Sequence, residues 1–380
     1  MGTNPSTRKI RPDRRSQRTK TMLDRRSFVK TGFGLLTAVA LAPTAALATP
    51  RAGYVTTARR PDGSFAAIVL DEEGAILFEE PLQARGHDIA VAPDGSRAVF
   101  FARRPGRFAV VVDLKRRRAT HTIPSIEGRH FAGHGFFSPD GALLYATENA
   151  YDLEAGMLGV YDVAADFRRI GEIETGGLDP HQALPLADGR TVAIANGGIL
   201  THPDFGREKL NLATMEPTLC YVDRITGDLV EKTVLPANLH QLSIRHMSID
   251  RHGAVWFGGQ YEGPAEDDVL LVGRHQRGGE PALVDAPLAA TRGLRNYVGS
   301  VSKNRSGSRI ATTSPRGGSI LIWDAETVGF IEQRDFADVC GIAPDKGEDF
   351  LASSGTGHMT GAGEAEHPGY AWDNHLRLIG

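Results

Sequence analysis

From Tyr54 to the C-terminus, short apolar runs alternate with tight turns at near-regular spacing. The clearest copies are Gly86–Gly95, with an Asp94-Gly95 turn, and Gly133–Gly141, with an Asp140-Gly141 turn. Pro180–Leu184 follows, closing at Asp188-Gly189, and then Arg245–Asp250, with Gly253 at the turn. Weaker copies start near Tyr297 and Val339. An apolar run feeding an Asp-Gly turn signals a tight hairpin. A second strand is predicted after each turn, at Ala98–Ala102, Leu143–Thr147, Thr191–Ala195, Val255–Gly258, Arg309–Thr313 and Phe350–Ser353. A third strand often ends in Asp, as in Val110–Asp113, Gly159–Asp162, Cys220–Asp223 and Leu321–Asp324. A more polar fourth strand closes the unit, as in Thr120–Ile123 and Gly329–Arg334.

Four short strands per unit of about 45 residues is the pattern of a β-propeller blade. Tyr54–Leu82 reads as strands two, three and four of one more blade, so the pattern predicts an all-β chain of seven four-stranded antiparallel blades. The inner strand of the first blade is either missing or supplied by Tyr370–Gly380. No single blade can bury both of its faces, and stacking around a closed ring does so while protecting the sheet edges.

The N-terminus departs from this pattern. Asp24-Arg25-Arg26-Ser27-Phe28-Val29-Lys30 precedes a mild apolar stretch, Thr31–Ala48, which ends in Ala46-Leu47-Ala48. Paired arginines, a short apolar region and a small-residue cut site read as a twin-arginine export signal, and the expected product is a periplasmic protein exported folded. Residues 1–48 are then a cleaved leader and 49–380 a single propeller domain, with no stable membrane insertion after cleavage. The competing possibility is an arginine-rich tail before a membrane anchor. Of 43 Lys/Arg and 46 Asp/Glu in the chain, ten and two fall in the leader, which leaves the remainder at a net charge of −11. So acidic a domain is a poor partner for nucleic acid or anionic lipid. Only Cys220 and Cys340 are present, far apart in sequence and in different units, and the absence of C-x-x-C-H argues against covalent c-type haem.

The candidate chemistry is histidine. His87, His134, His181 and His246 all fall where the inner strand of a blade begins, and the first three are 47 residues apart. Equivalent positions on consecutive blades share one rim of the channel. Neutral imidazole is a common transition-metal ligand, so the four are candidate metal ligands at the channel mouth. They equally suit a polar pocket for an anionic ligand. Alternatively, each serves only to hydrogen-bond a neighbouring turn. Four consecutive blades of seven span more than half the ring, so two or three of these residues are expected to meet at one ion, and all four only in a wide cluster or with several ions.

Two further segments are candidates for ligand binding at the same mouth. Asn196–Leu212 is a long insertion between strands two and three of the fourth blade, and offers His202, Asp204, Arg207 and Lys209. Leu239–His246 places His240 and Arg245 beside the next inner strand, and Asn296 and Tyr297 add a polar edge. The Lys115–Arg118 run reads as a solvated turn. No G-x-S-x-G, H-E-x-x-H or phosphate-binding loop occurs, and Glu148 is the one carboxylate that offers itself as a base.

Asn196–Leu212, Leu239–His246, Val255–Tyr261 and Asp338–Gly341 resemble the family called domain of unknown function 1513, and the likeness spans roughly Tyr54 to Leu378. The resemblance implies exported bacterial propellers, often encoded beside imelysin-type iron-regulated proteins and di-haem oxidoreductase-like proteins. It therefore implies a binding or accessory role in iron or other metal handling, with periplasmic metal-uptake or redox proteins as partners. It transfers no catalytic residue. The alternative expectation is a metal-dependent enzyme, a lactonase-like hydrolase or an oxidoreductase, with its site at the channel mouth.

Overall fold

A computed structural model describes residues 51–380 apart from 207 and 362. The leader read from residues 1–48 lies outside them. The described chain forms seven four-stranded antiparallel sheets in a seven-bladed propeller. Six blades run in simple sequence order: blade 2 over residues 86–124, blade 3 over 130–174, blade 4 over 180–234, blade 5 over 242–283, blade 6 over 300–335 and blade 7 over 339–366. Blade 1 takes Ala52–Arg59, Phe65–Asp71 and Ile76–Leu82 from the start of the domain and its inner strand, Ala371–Leu378, from the end. Among the described residues the sole α-helix is the six-residue Leu288–Gly293, in the connection to blade 6, and no helix is long and apolar enough to cross a membrane.

The ring closes through the last strand. Ala371–Leu378 pairs antiparallel with Ala52–Arg59, from Ala371 opposite Arg59 to Leu378 opposite Tyr54. The alternation read from the sequence puts an apolar cluster at every blade junction. Val69, Phe100 and Val110 meet between blades 1 and 2; Phe101, Phe131 and Leu144 meet between 2 and 3; Tyr145, Ile194 and Val222 meet between 3 and 4. Trp256, Phe257 and Trp323 join blades 4 to 6, Ile322 and Phe350 join 6 to 7, and Leu351, Ile68 and Trp372 join 7 to 1. Burial of such side chains is the dominant favourable term, at about 25 cal/mol per Å² of apolar surface.

The recurrent Asp at the end of the third strand has a local cause. Asp113 Oδ1 accepts from the backbone N–H groups of Lys115 and Arg116. Asp162, Asp223 and Asp324 do the same for the two N–H groups of their own turns. Asp94 and Asp140 play this part in the turn after the inner strand. These side chains replace the partners that a tight turn cannot supply from its own backbone.

Lys115, Arg116 and Arg117 lie in such a turn, with Arg116 paired to Asp113, and Arg118 opens the fourth strand. Both cysteines are buried and free.

Two outcomes follow for stability. Trp372 is buried at the seam, so Trp372→Ala should cost about 3–5 kcal/mol in denaturant unfolding. Deleting residues 371–380 should abolish the single cooperative transition, and an unchanged melt would refute closure by this strand. The turn carboxylates also set a pH dependence. Bonds from the turn backbone hold Asp113 and Asp324 below their ordinary pKa, and bonds from Ser96 and Ser138 do so for Asp94 and Asp140. A carboxylate depressed in the folded state stabilises above its unfolded pKa near 3.9 and loses that contribution as pH falls. The unfolding midpoint should therefore drop with acid from about pH 5 downward, less steeply in an Asp113→Asn, Asp324→Asn double variant. Equal slopes in chemical denaturation would count against this origin.

Candidate metal centre at the channel axis

Each inner strand with a predicted histidine has a break in its pairing register, at the histidine itself in blades 2 to 4 and at the preceding Arg245 in blade 5. His87 falls inside the shift between Gly86 and Ile89, His134 inside that between Phe131 and Gly135, and His181 inside that between Pro180 and Gln182. The shift in blade 5 lies between Ile244 and His246. Such a bulge frees one residue from the ladder and re-aims its side chain. Here it points the imidazoles at the propeller axis. Gly133 shows how tightly they are held. Its φ is +109°, and a Cβ there would stand 2.7 Å from the His87 ring.

The closing strand contributes a fifth ring, His375, again at a register shift, between the pairings of Thr56 and Ala58. Sequence reading missed it because residues 371–378 have no turn or second strand behind them to mark a blade. The inner strands of five consecutive blades thus supply His375, His87, His134, His181 and His246. All five are 0–8% exposed, with neighbouring ring centroids 4.7–4.8 Å apart and the widest recorded pair, His87 and His246, at 6.4 Å. The four predicted rings thus sit in one close cluster rather than a wide one. The channel is narrow enough for side chains from opposite arcs to touch. Two overlapping triads, His87–His134–His181 and His134–His246–His375, each hold their candidate ligand nitrogens within 4.8 Å.

Burial fixes the protonation of this cluster. Desolvation pushes His87 down to about 4, assisted by His134 and opposed by Asp373. It lowers His134 against the pull of Asp88, and drives His181, His246 and His375 well below the usual imidazole range, with the neighbouring histidines adding to the shift. Five neutral rings therefore face one another. Four of their nitrogens are buried without a hydrogen-bond partner: His134 Nε2, His181 Nε2, His246 Nδ1 and His375 Nε2.

The outer nitrogens are held by a charged shell. His134 Nδ1 lies 2.7 Å from Asp88 Oδ2, and Asp88 accepts two 2.7 Å bonds from Arg377. Burial alone would raise the Asp88 pKa, but Arg377, His375 and His134 outweigh it and keep the carboxylate ionised. Asp373 pairs with Arg85 and faces His87 Nδ1 at 3.4 Å. Asp179 lies between Arg104 and Arg245, with Arg245 Nη1 at 3.0 Å but not aligned for a hydrogen bond. Arg245 donates instead to His181 Nδ1 at 3.3 Å. A guanidinium only donates, so the neutral His181 ring carries its proton on Nε2, pointing inward.

Above the cluster sits a cavity of about 160 Å³ that reaches His87, His181 and His246 and is walled by Arg103, Arg104, Lys209, Arg245, Arg316, Glu262 and Tyr297. Arg103, Lys209 and Arg316 come from loops that join second to third strands, which all emerge on the side where the inner strands begin. Arg316 stacks on Tyr297, its guanidinium carbon 4.5 Å from the ring centre.

Of the other residues singled out in the sequence, Arg245 and Tyr297 line this cavity. His202 does not. It caps the short 3-10 turn Pro203–Phe205 and sits against Tyr151 and Asp152. His240 bonds the Ala237 carbonyl and is partly exposed. Arg207 lies outside the described residues. From the insertion it is Lys209 that reaches the mouth, paired with Glu262. Glu148 is buried and pinned by the Tyr161 hydroxyl and Arg169.

Hydrazine synthase of Kuenenia stuttgartiensis is similar in structure, with a TM-score of 0.59 at 15% identity over 88% of this chain and 99% of that chain. That likeness shows the fold alone. No curated protein matches the sequence. Residues 80–379, all but the first blade of the ring with its inner strand included, match the family described as protein of unknown function (DUF1513), and the chain belongs to that family.

Proposed function

We propose that this protein is an exported metal-binding propeller, a binding or accessory component of metal handling, whose site is the histidine cluster at the axis. The observation that carries the reading is the convergence of orphaned imidazole nitrogens in a buried space. An unpaired buried polar atom costs about 1–3 kcal/mol, and several in one place are explained if a ligand satisfies them. The donor set is all nitrogen, which suits first-row divalent ions such as zinc, copper, nickel or iron.

His134, His246 and His375 are the assigned triad, with His87 beside them. His181 is set apart because its inward nitrogen carries a proton. When bound, the ion would supply a Lewis-acidic centre shielded from bulk water. Asp88 and Asp373 act on the rings. Each takes the outer N–H of an imidazole, fixing its tautomer and turning the Nε2 lone pair of His134 and His87 inward. The double-arginine motif at Asp24–Lys30 and the Ala46-Leu47-Ala48 site support delivery of the folded chain to the periplasm. The enzyme alternative has less support, because its candidate base, Glu148, is already bound to Tyr161 and Arg169.

Elemental analysis of the folded protein should find about one equivalent of a first-row metal, and chelation should lower its melting temperature. A His134→Ala, His246→Ala double variant should lose the metal. Asp88→Asn should bind it 10–100-fold more weakly, in keeping with the loss of an outer-shell partner. Folded protein that neither contains nor takes up such an ion would end the proposal.

A further inference from the structure

Charge around the axis is unbalanced in a direction that a cation site should avoid. Asp88 and Asp373 are committed to Arg377 and Arg85. Asp179 serves two guanidinium groups, Arg104 and Arg245. Glu262 is taken by Lys209. Among the described residues no carboxylate pairs with Arg103 or Arg316, although both line the cavity over the cluster. Burial and, after it, the adjacent Arg85 lower the pKa of Arg103 against the pull of Asp373. A divalent ion entering here would add two positive charges to a half-buried region already short of negative ones, where charge interactions are strong.

We propose that the cavity takes a small oxygen-donor anion, a carboxylate or a phosphate, which bridges Arg103 and Arg316 on its outer side and meets the histidine-bound metal on its inner side. The inference rests on the metal reading above. Three features fit it. His181 presents an inward Nε2–H with no partner in the protein, a donor for an oxygen next to the metal rather than a ligand to it. Tyr297 holds the Arg316 guanidinium in a stacked position, which reduces the freedom it must lose on binding. The volume of about 160 Å³ has room for a phosphate or a small dicarboxylate. His181 is thereby a positioning and recognition residue, and Arg103 and Arg316 are the charge partners that set selectivity for anions.

Cobalt(II) serves as the probe, since its visible spectrum reports on its ligands. The cobalt-loaded full-length protein is titrated with malonate and, separately, with phosphate, and cobalt content is measured in every sample. The expected result is a saturable change in the visible band with at least one anion. In an Arg103→Gln, Arg316→Gln variant the anion should bind at least about tenfold more weakly, the loss of charge-assisted contacts, while cobalt content stays at the wild-type level. Arg316 is exposed, so Arg316→Gln alone tests the same point if the double variant folds poorly. Malonate against phosphate identifies the anion chemistry. A spectrum unmoved by both, or an equal anion affinity in wild type and variant, overturns the inference while leaving the metal site standing. Failure of the wild-type protein to hold cobalt removes both.

Discussion

The pairing of Ala371–Leu378 with Ala52–Arg59 does two jobs with one set of backbone hydrogen bonds. It gives the first blade the inner strand that the other six have, so that the blade 7 to blade 1 junction can bury Trp372 against Ile68 and Leu351. It also carries Asp373, His375 and Arg377 to the axis. The ring and the histidine cluster are therefore not independent. An open ring would lose His375, the carboxylate behind His87 and the guanidinium that keeps Asp88 ionised. Closure by the two ends of the domain makes completion of the chain a condition for completion of the site.

The cluster is costly without something to satisfy it. Five rings sit in a space that excludes solvent, which disfavours their protonation, and four of their nitrogens have no partner. Around them the chain spends its buried carboxylates on orienting rings and neutralising arginines rather than on offering oxygen ligands inward. This division of labour, neutral nitrogen inside and ion pairs outside, is how a protein builds a preorganised nitrogen site while avoiding a bare buried charge. It also leaves the region above the cluster positive.

The blades are alike, but the site is not symmetric. Blades 6 and 7 bring no histidine to the axis. Their side of the ring instead carries Tyr297, Arg316 and, in an adjoining groove, Cys340. A register shift occurs in each of the five His-bearing strands, at the ring in four of them and at Arg245 in blade 5, and a comparable shift in blade 7 spans Cys340 and Gly341 without contributing a ring. One backbone device, repeated, thus supports different side chains in different sectors, and the long insertion of blade 4 adds Lys209 and its partner Glu262 to the rim.

The blade count, the strand positions and four of the five axial histidines were legible in the sequence, because local alternation, Asp-Gly turns and a 47-residue spacing are properties of neighbouring residues. Asp113 and its equivalents show why: the carboxylate that marks the end of a third strand bonds its own turn. What sequence alone left undecided depends on closure and on register. His375 has no blade of its own in sequence order, since its strand joins residues more than three hundred positions earlier. How closely the rings gather depends on the channel width, and close blade packing brings sequence-distant rings within contact. His202 and His240 looked equivalent to the others by residue type, yet local turns hold them elsewhere, and Arg103 gave no sign until folding left it beside the cluster. Short-range chemistry wrote the strands, and only the closed ring decided which side chains share the axis.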